Sequence, residues 1–329
     1  MKIMQKIITI VLVMFMVLGL SFGISAAEFV LSHGTHTAEE SLIGQAGRKF
    51  NELVEEMSDG EIQMNYYPGG QFGGAIAHME QTMEGAIDMN TDVVEWYGNF
   101  NKDFSIFGWG FAFRDVEHFN KFIASERFDQ MKQELIEETD LRILNVVPTE
   151  PRVFFSRQPI ENVDDIQGIT MRVPEIEAYL KVWEGLGTNP ARIPWGDLYT
   201  SLRTGVVDAA EGPITLSYED RLHEGAPNVY LTRHIINSVS FVINNDTYQS
   251  MPEEFQDIID EAAVLAGEWA MEEGIAMTEE VIEKYKEDGA TVSEIDVTEF
   301  QEILIEAAIG AEEDGLWSEG LYEEVQAIE

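Results

Sequence analysis

The chain contains no cysteine, and its 20 lysines and arginines face 61 aspartates and glutamates, a formal net charge of -41. The missing cysteine excludes disulfides, thiolate metal sites and a lipidated cysteine near the N-terminus. The shortage of positive charge argues against nucleic acid and anionic lipid headgroups as partners, because a strongly acidic surface repels both. It also sharpens what an anionic ligand would need. Specific arginines must invert the local field at such a ligand's site, since the global field opposes its approach. The simpler meaning of the acidity is a solvated, self-repelling surface.

Long apolar runs are also scarce, and the one that exists lies at the start. Lys2 and Lys6 precede an apolar stretch from Ile7 to Ile24, followed by Ser25, Ala26 and Ala27. This is the pattern of a secretory signal peptide over residues 1–27, cleaved after Ala27, although the run is long enough for a retained anchor. An extracytoplasmic, periplasmic location is the expectation. The remaining ~300 residues suffice for two α/β units.

The densest patterning lies between Gly168 and Ile214. Ile169, Met171 and Val173 alternate with Thr170 and Arg172 until Pro174 stops the strand. Ile176, Tyr179, Leu180, Trp183 and Leu186 then repeat at helical spacing, and Gly187 offers a left-handed exit. A short strand near 191–193, a helix carrying Leu198 and Leu202 inward, and a buried strand at 206–210 complete the unit. Strand, helix, strand, helix, strand is the rhythm of a parallel sheet, whose ligands bind beyond the carboxyl ends of the strands. That placement singles out Arg172 and Glu211.

The same rhythm occurs earlier. TMEGAIDMNTD around Asp88 has the shape of LRTGVVDAAEG around Asp208: helix, glycine, two apolar residues, aspartate, small residues. Two related halves facing each other across a crevice predict a bilobed α/β protein. Chain crossings are expected near Thr149 and again over 238–244. Apolar positions from Phe255 to Tyr285 continue at helical spacing without proline, which predicts a helix of about 35 residues, roughly 50 Å long and able to touch both lobes. The expected units are 28–149 with 238–277, and 150–237 with 278–329.

Other local signals are weaker. PGGQFGG at 68–74 lacks the spacing of either phosphate-binding glycine motif and is read as a turn. His33 and His36, three apart in a polar loop, lack further ligands for a metal. Phe104, Phe107, Trp109, Phe111 and Phe113 read as packing.

GITMRVP, PWGDLY, LRTGVVDAAEGP and NDTYQSMPEEFQDIIDEAA, in this order and spacing, resemble the DctP-type solute receptors of TRAP transporters. The resemblance covers essentially the whole chain after the leader. It implies a two-lobed periplasmic binding protein fold (type II-like) with a long interdomain helix. The implied function is a receptor that closes on a small organic acid and delivers it to the TRAP membrane permease; a monomer without cofactor or metal is the accompanying expectation. Arg172 matches the family's carboxylate-binding arginine; a guanidinium presents two parallel donors to a carboxylate, which lysine cannot. Arg152 matches a second arginine. Trp195 and Trp96 match ligand-contacting positions on the two lobes, and His33 matches a loop contact. Gly212 stands where the family usually has asparagine, so a space of amide size is expected there, open to a bulkier ligand or a water.

Two tryptophans also suit an aromatic acid or an ectoine-like zwitterion, whose cation Asp92, Glu95 or Glu211 would meet. The rival class is a periplasmic enzyme on a bilobed fold using His33 or His36 as acid or base. No catalytic Ser/His/Asp or Cys/His set is legible, so a non-enzymatic receptor is the leading expectation.

Overall fold

The computed structural model describes residues 27–329, so the leader expected over 1–27 lies almost entirely outside it. Ten strands are present among these residues: β1 (Phe29–Gly34), β2 (Ile62–Tyr67), β3 (Met89–Asp92), β4 (Leu141–Ser156), β5 (Thr170–Val173), β6 (Asn189–Arg192), β7 (Ala209–Pro213), β8 (Asn228–Tyr230), β9 (Ile236–Asn244) and β10 (Thr291–Ser293). They follow the order β2-β1-β3-β9-β4-β7-β5-β6, with β8 on β4 and β10 on β8. Helices flank this mixed sheet, an α/β architecture as expected. The trios β2-β1-β3 and β6-β5-β7 are parallel, while β9 and β4 run antiparallel between them.

The two halves repeat down to individual hydrogen bonds. Gly85 and Gly205 both take positive φ, 67° and 76°. The next two amides, Ala86 and Ile87 in one half and Val206 and Val207 in the other, still reach back to the helix carbonyls of Gln81 and Ser201. Asp88 then accepts the Ser32 amide at 2.8 Å and Asp208 accepts the Thr170 amide at 3.0 Å. A carboxylate that captures an amide of the neighbouring strand locks the register at the entrance to each sheet. Because the glycine exit uses up three residues, β7 begins at Ala209 instead of Val206, which is 62% exposed. Glu211 therefore lies inside the strand and not at its end.

The chain crossing expected near Thr149 falls inside one continuous strand, β4. In β4, Leu141 to Pro151 pairs with β9, and Arg152 to Ser156 pairs with β7 and β8. The register slips between Pro148 and Pro151, where two residues without amide donors interrupt the ladder. Arg152 is the first residue past this handover.

The helix Glu253–Glu287 has the expected 35 residues. Phe255, Ile259, Ala263, Ala266 and Ala270 pack into the main core, whereas Val281 and Tyr285 pack into a second cluster with Val153, Phe155 and Leu202. Gly267 permits the close crossing over β4, because a methyl there would stand 2.5 Å from Asn145 Nδ2. The C-terminal segment, expected on the second lobe, packs against both. Trp317 meets Trp109 edge-on at 5.2 Å, and Leu304 O accepts from Trp109 Nε1, while Lys181 pairs with Asp314. The main core runs through this junction without a break.

Candidate functional site

Arg172 is the third residue of β5, and its register partners on either side are Ala191 and Ala210. Two flanking alanines leave a furrow along which the long arginine stem can lie. The side chain is 1% exposed. Its Nε donates to Ile193 O at 2.8 Å and its guanidinium sits 5.3 Å from the Trp195 ring, but Nη1 has no partner. Arg172 makes no ion pair among the described residues, despite 61 acids in the chain. Burial, eased only in part by the nearby Glu211 charge, lowers its pKa to about 10. A surface arginine paired with a neighbouring acid is thereby ruled out.

Arg152, on the same cavity, is buried in the opposite electrostatic condition. Its Nε and Nη2 donate to the two oxygens of Glu211 at 2.6 and 2.8 Å, and Nη1 donates to Asn237 Oδ1 at 3.1 Å. The Tyr179 ring lies 5.0 Å from its guanidinium. Burial alone would raise the Glu211 pKa; the Arg152 charge and hydrogen bonds, with His234 behind, instead hold it at about 2. Burial likewise works against the Arg152 cation, yet Glu211 keeps its pKa above the ordinary value. Arg152 and Glu211 form a neutral pair, and Arg172 is left as an uncompensated buried cation.

These two guanidiniums border a cavity of about 40 Å³ between the halves. Its lining includes His36, Asp92, Val93 and Trp96 from the first half, and Pro174, Ile176, Tyr179, Trp195, Pro213 and Leu216 from the second. A larger depression of about 570 Å³, sharing His36, Thr37, Trp195 and Leu216, leads outward from it. Trp96 is 9% exposed and meets the His36 ring edge-on at 6.2 Å. Asp92 ends β3 with both oxygens engaged, one by the Val93 amide at 2.8 Å and one by His36 Nδ1 at 2.6 Å.

The other expected residues do not line the cavity. Glu211 stands behind Arg152. Glu95 is fully buried behind the lining, accepting from Tyr179 Oη at 3.1 Å, and burial raises its pKa to about 7. His33 is a core residue with Nδ1 2.6 Å from Asn51 Oδ1 and Nε2 2.7 Å from Thr91 Oγ1, and burial lowers its pKa to about 4. Both nitrogens are occupied within the first half, so His33 reaches neither a ligand nor a proton in transit. Gly212 requires a further correction. No amide-sized space is open there: a methyl at Gly212 would stand 2.6 Å from Ser217 Oγ and 2.8 Å from Trp195 Cη2. The indole of Trp195 occupies the room. Sequence reasoning overlooked Tyr179 and Ile176 as lining residues, because their helical spacing signals burial without saying what they are buried against, and Leu216, on the short helix Ile214–Glu219, lay beyond the patterned stretch.

A family model for bacterial extracellular solute-binding proteins, family 7 (DctP), matches residues 33–310. The chain belongs to this family. A TRAP periplasmic solute-binding protein of Roseobacter denitrificans is 28% identical over 291 residues, 86% of this chain and 87% of that one. Its crystal structure with bound L-galactonate superposes with a TM-score of 0.85 at 26% identity over 92% of this chain and 99% of that one. A Sulfitobacter relative crystallised with α-D-taluronate gives 0.83 at 27% identity, covering 90% and 97%. The ectoine-binding periplasmic protein of Halomonas elongata is 26% identical over 305 residues, 92% of this chain and 87% of that one. Members of the DctP family are extracytoplasmic receptors that bind small organic solutes for TRAP transporters and are not enzymes.

Proposed function

We propose that this protein captures a small organic acid by its carboxylate on Arg172, between Trp96 and Trp195, and hands it to the membrane permease of a TRAP transporter. The observation that carries this reading is the lone guanidinium: buried, partnerless at Nη1 and facing a cavity shared by both halves. An unpaired buried charge is costly, and a carboxylate that supplies both counter-charge and hydrogen bonds relieves that cost on binding. Because the lining comes from both halves, ligand contact and lobe closure are coupled. Secretion through the leader at 1–27, a monomeric state and lobes divided at the β4 handover belong to the same proposal.

An ectoine-like zwitterion is less well served. Asp92 is engaged by His36 and Val93, Glu211 by Arg152, and Glu95 lies behind the lining. Among the described residues, no free carboxylate lines the cavity of about 40 Å³ to meet the cation.

The test is a thermal-shift panel of carboxylates alongside amides of the same acids. A bound acid at a hundred times its dissociation constant stabilises by about 2.7 kcal/mol. The acid should shift the transition and its amide should not; equal shifts would defeat the carboxylate assignment.

A further inference from the structure

Resting on Arg172 as the carboxylate anchor, we infer that the site selects a compact monocarboxylate with an apolar body over polyhydroxylated sugar acids, and that Trp195, seated against the bare backbone of Gly212, sets this selection.

Charge decides the first part. Of the two arginines at the cavity, one is already neutralised by Glu211 through two hydrogen bonds, and the acid that faces the cavity, Asp92, is paired with His36. The site therefore has one cation to satisfy. A second carboxylate on the ligand would have to displace Glu211 from Arg152 or face Asp92.

The second part follows from the lining. Besides the arginines, spare hydrogen-bonding capacity among the lining side chains is limited to His36 Nε2, Thr37, the remaining lone pairs of Asp92 and what remains on Tyr179 Oη, which already donates to Glu95. The lining includes no asparagine, glutamine, serine or lysine. A hexuronate or an aldonate carries four or five hydroxyls. Each one held against indole or aliphatic carbon loses its water without a replacement, a penalty on the order of tenfold or more in affinity. The cavity of about 40 Å³ has room for the equivalent of roughly three waters, at 10–15 Å³ each. An apolar body of a few carbons or a single flat ring suits such walls once the jaws adjust.

Trp195 enforces this smallness. Its Cη2 lies 2.8 Å from where any Cβ at position 212 would be, so the indole reaches this depth only because Gly212 has no side chain. Nε1 donates to Asp220 Oδ2 at 2.5 Å, which fixes the plane of the ring. The indole thus fills volume that would otherwise be open and polar, next to Ser217 Oγ, which has no partner.

The experiment is isothermal titration of wild type, Trp195→Ala, Trp195→Phe and Arg172→Met with benzoate, 3-methylbutanoate, D-glucuronate and L-galactonate, after circular dichroism shows each variant folded. At least one apolar acid should bind wild type 100-fold more tightly than either sugar acid. Trp195→Ala should narrow that ratio at least tenfold and Trp195→Phe should narrow it less; Arg172→Met should weaken every acid that binds. Sugar acids that match the apolar acids in wild type, or apolar acids that fail to bind, overturn the inferred selectivity, and if binding is still lost in Arg172→Met the carboxylate anchor stands. An unchanged ratio in Trp195→Ala removes Trp195 from the account. Binding indifferent to Arg172→Met overturns the anchor itself.

Discussion

Replacing Arg172 with methionine should weaken ligand binding and, at the same time, stabilise the empty protein. The two effects have one cause. Without ligand, Arg172 is a buried cation whose pKa has fallen from 12.5 to about 10. A base whose folded pKa is depressed destabilises the fold at every pH below that value, so the full penalty, roughly 3 kcal/mol, is present at pH 7. Methionine has similar reach and no charge. It forfeits the charge-assisted hydrogen bond to Ile193 O, worth about 2 kcal/mol, which leaves a net gain of roughly 1 kcal/mol in urea unfolding of the empty protein. With ligand present the sign reverses: the carboxylate loses its partner in a desolvated site, at a cost of about 3–5 kcal/mol, or a hundred- to several-thousand-fold in affinity. Denaturation with and without a bound acid measures both quantities in one series. A variant destabilised by 2 kcal/mol when empty, with affinity within threefold of wild type, would refute the reasoning.

Arg152 should behave in the opposite way. Arg152→Met strands Glu211 as an unpaired buried carboxylate and should lower stability by about 3–5 kcal/mol, whereas Arg152→Met combined with Glu211→Leu should recover most of that loss; urea titrations of the single and double variants check it. Glu95 sets part of the pH dependence. Because its folded pKa is raised from 4.5 to about 7, it costs stability above pH 7, and the cost disappears as pH falls from 7 to 4.5. Glu95→Gln should therefore stabilise by roughly 2–3 kcal/mol at pH 8 and leave stability at pH 4.5 almost unchanged; a constant difference across that range would contradict the assignment. Below pH 4.5 the sign changes for Glu211, whose pKa near 2 means that its contribution is lost as pH falls from 4.5 toward 2.

Much of the fold was legible because local chemistry repeats. The pattern of glycine, two apolar residues and aspartate appears twice, and both copies make the same backbone turn and the same carboxylate clamp. The strand after Gly205 was placed three residues early, since Val206 and Val207 look like strand even while their amides still hold the preceding helix. The long helix was readable from period alone. Arg172 was readable as a strand residue before a proline, but its isolation was not. That isolation depends on Glu211 choosing Arg152, a pairing of residues 59 positions apart that no local pattern carries. Gly212 was noticed for the right reason and misread: a missing side chain looks like space until the indole of Trp195 is seen to fill it. His33 and His36 are indistinguishable in a polar loop, yet one is bound on both nitrogens inside the core and the other borders the cavity.

The central claim is that one buried arginine without an ion-pair partner holds the carboxylate of the transported acid. A crystal structure with the acid that gives the largest thermal shift tests it most directly. The account predicts both carboxylate oxygens about 2.7–2.9 Å from Arg172 guanidinium nitrogens, the body of the ligand between Trp96 and Trp195, and the Arg152–Glu211 pair intact. A carboxylate bound elsewhere while Arg172 still lacks an ion pair, or one that displaces Glu211 from Arg152, would contradict it.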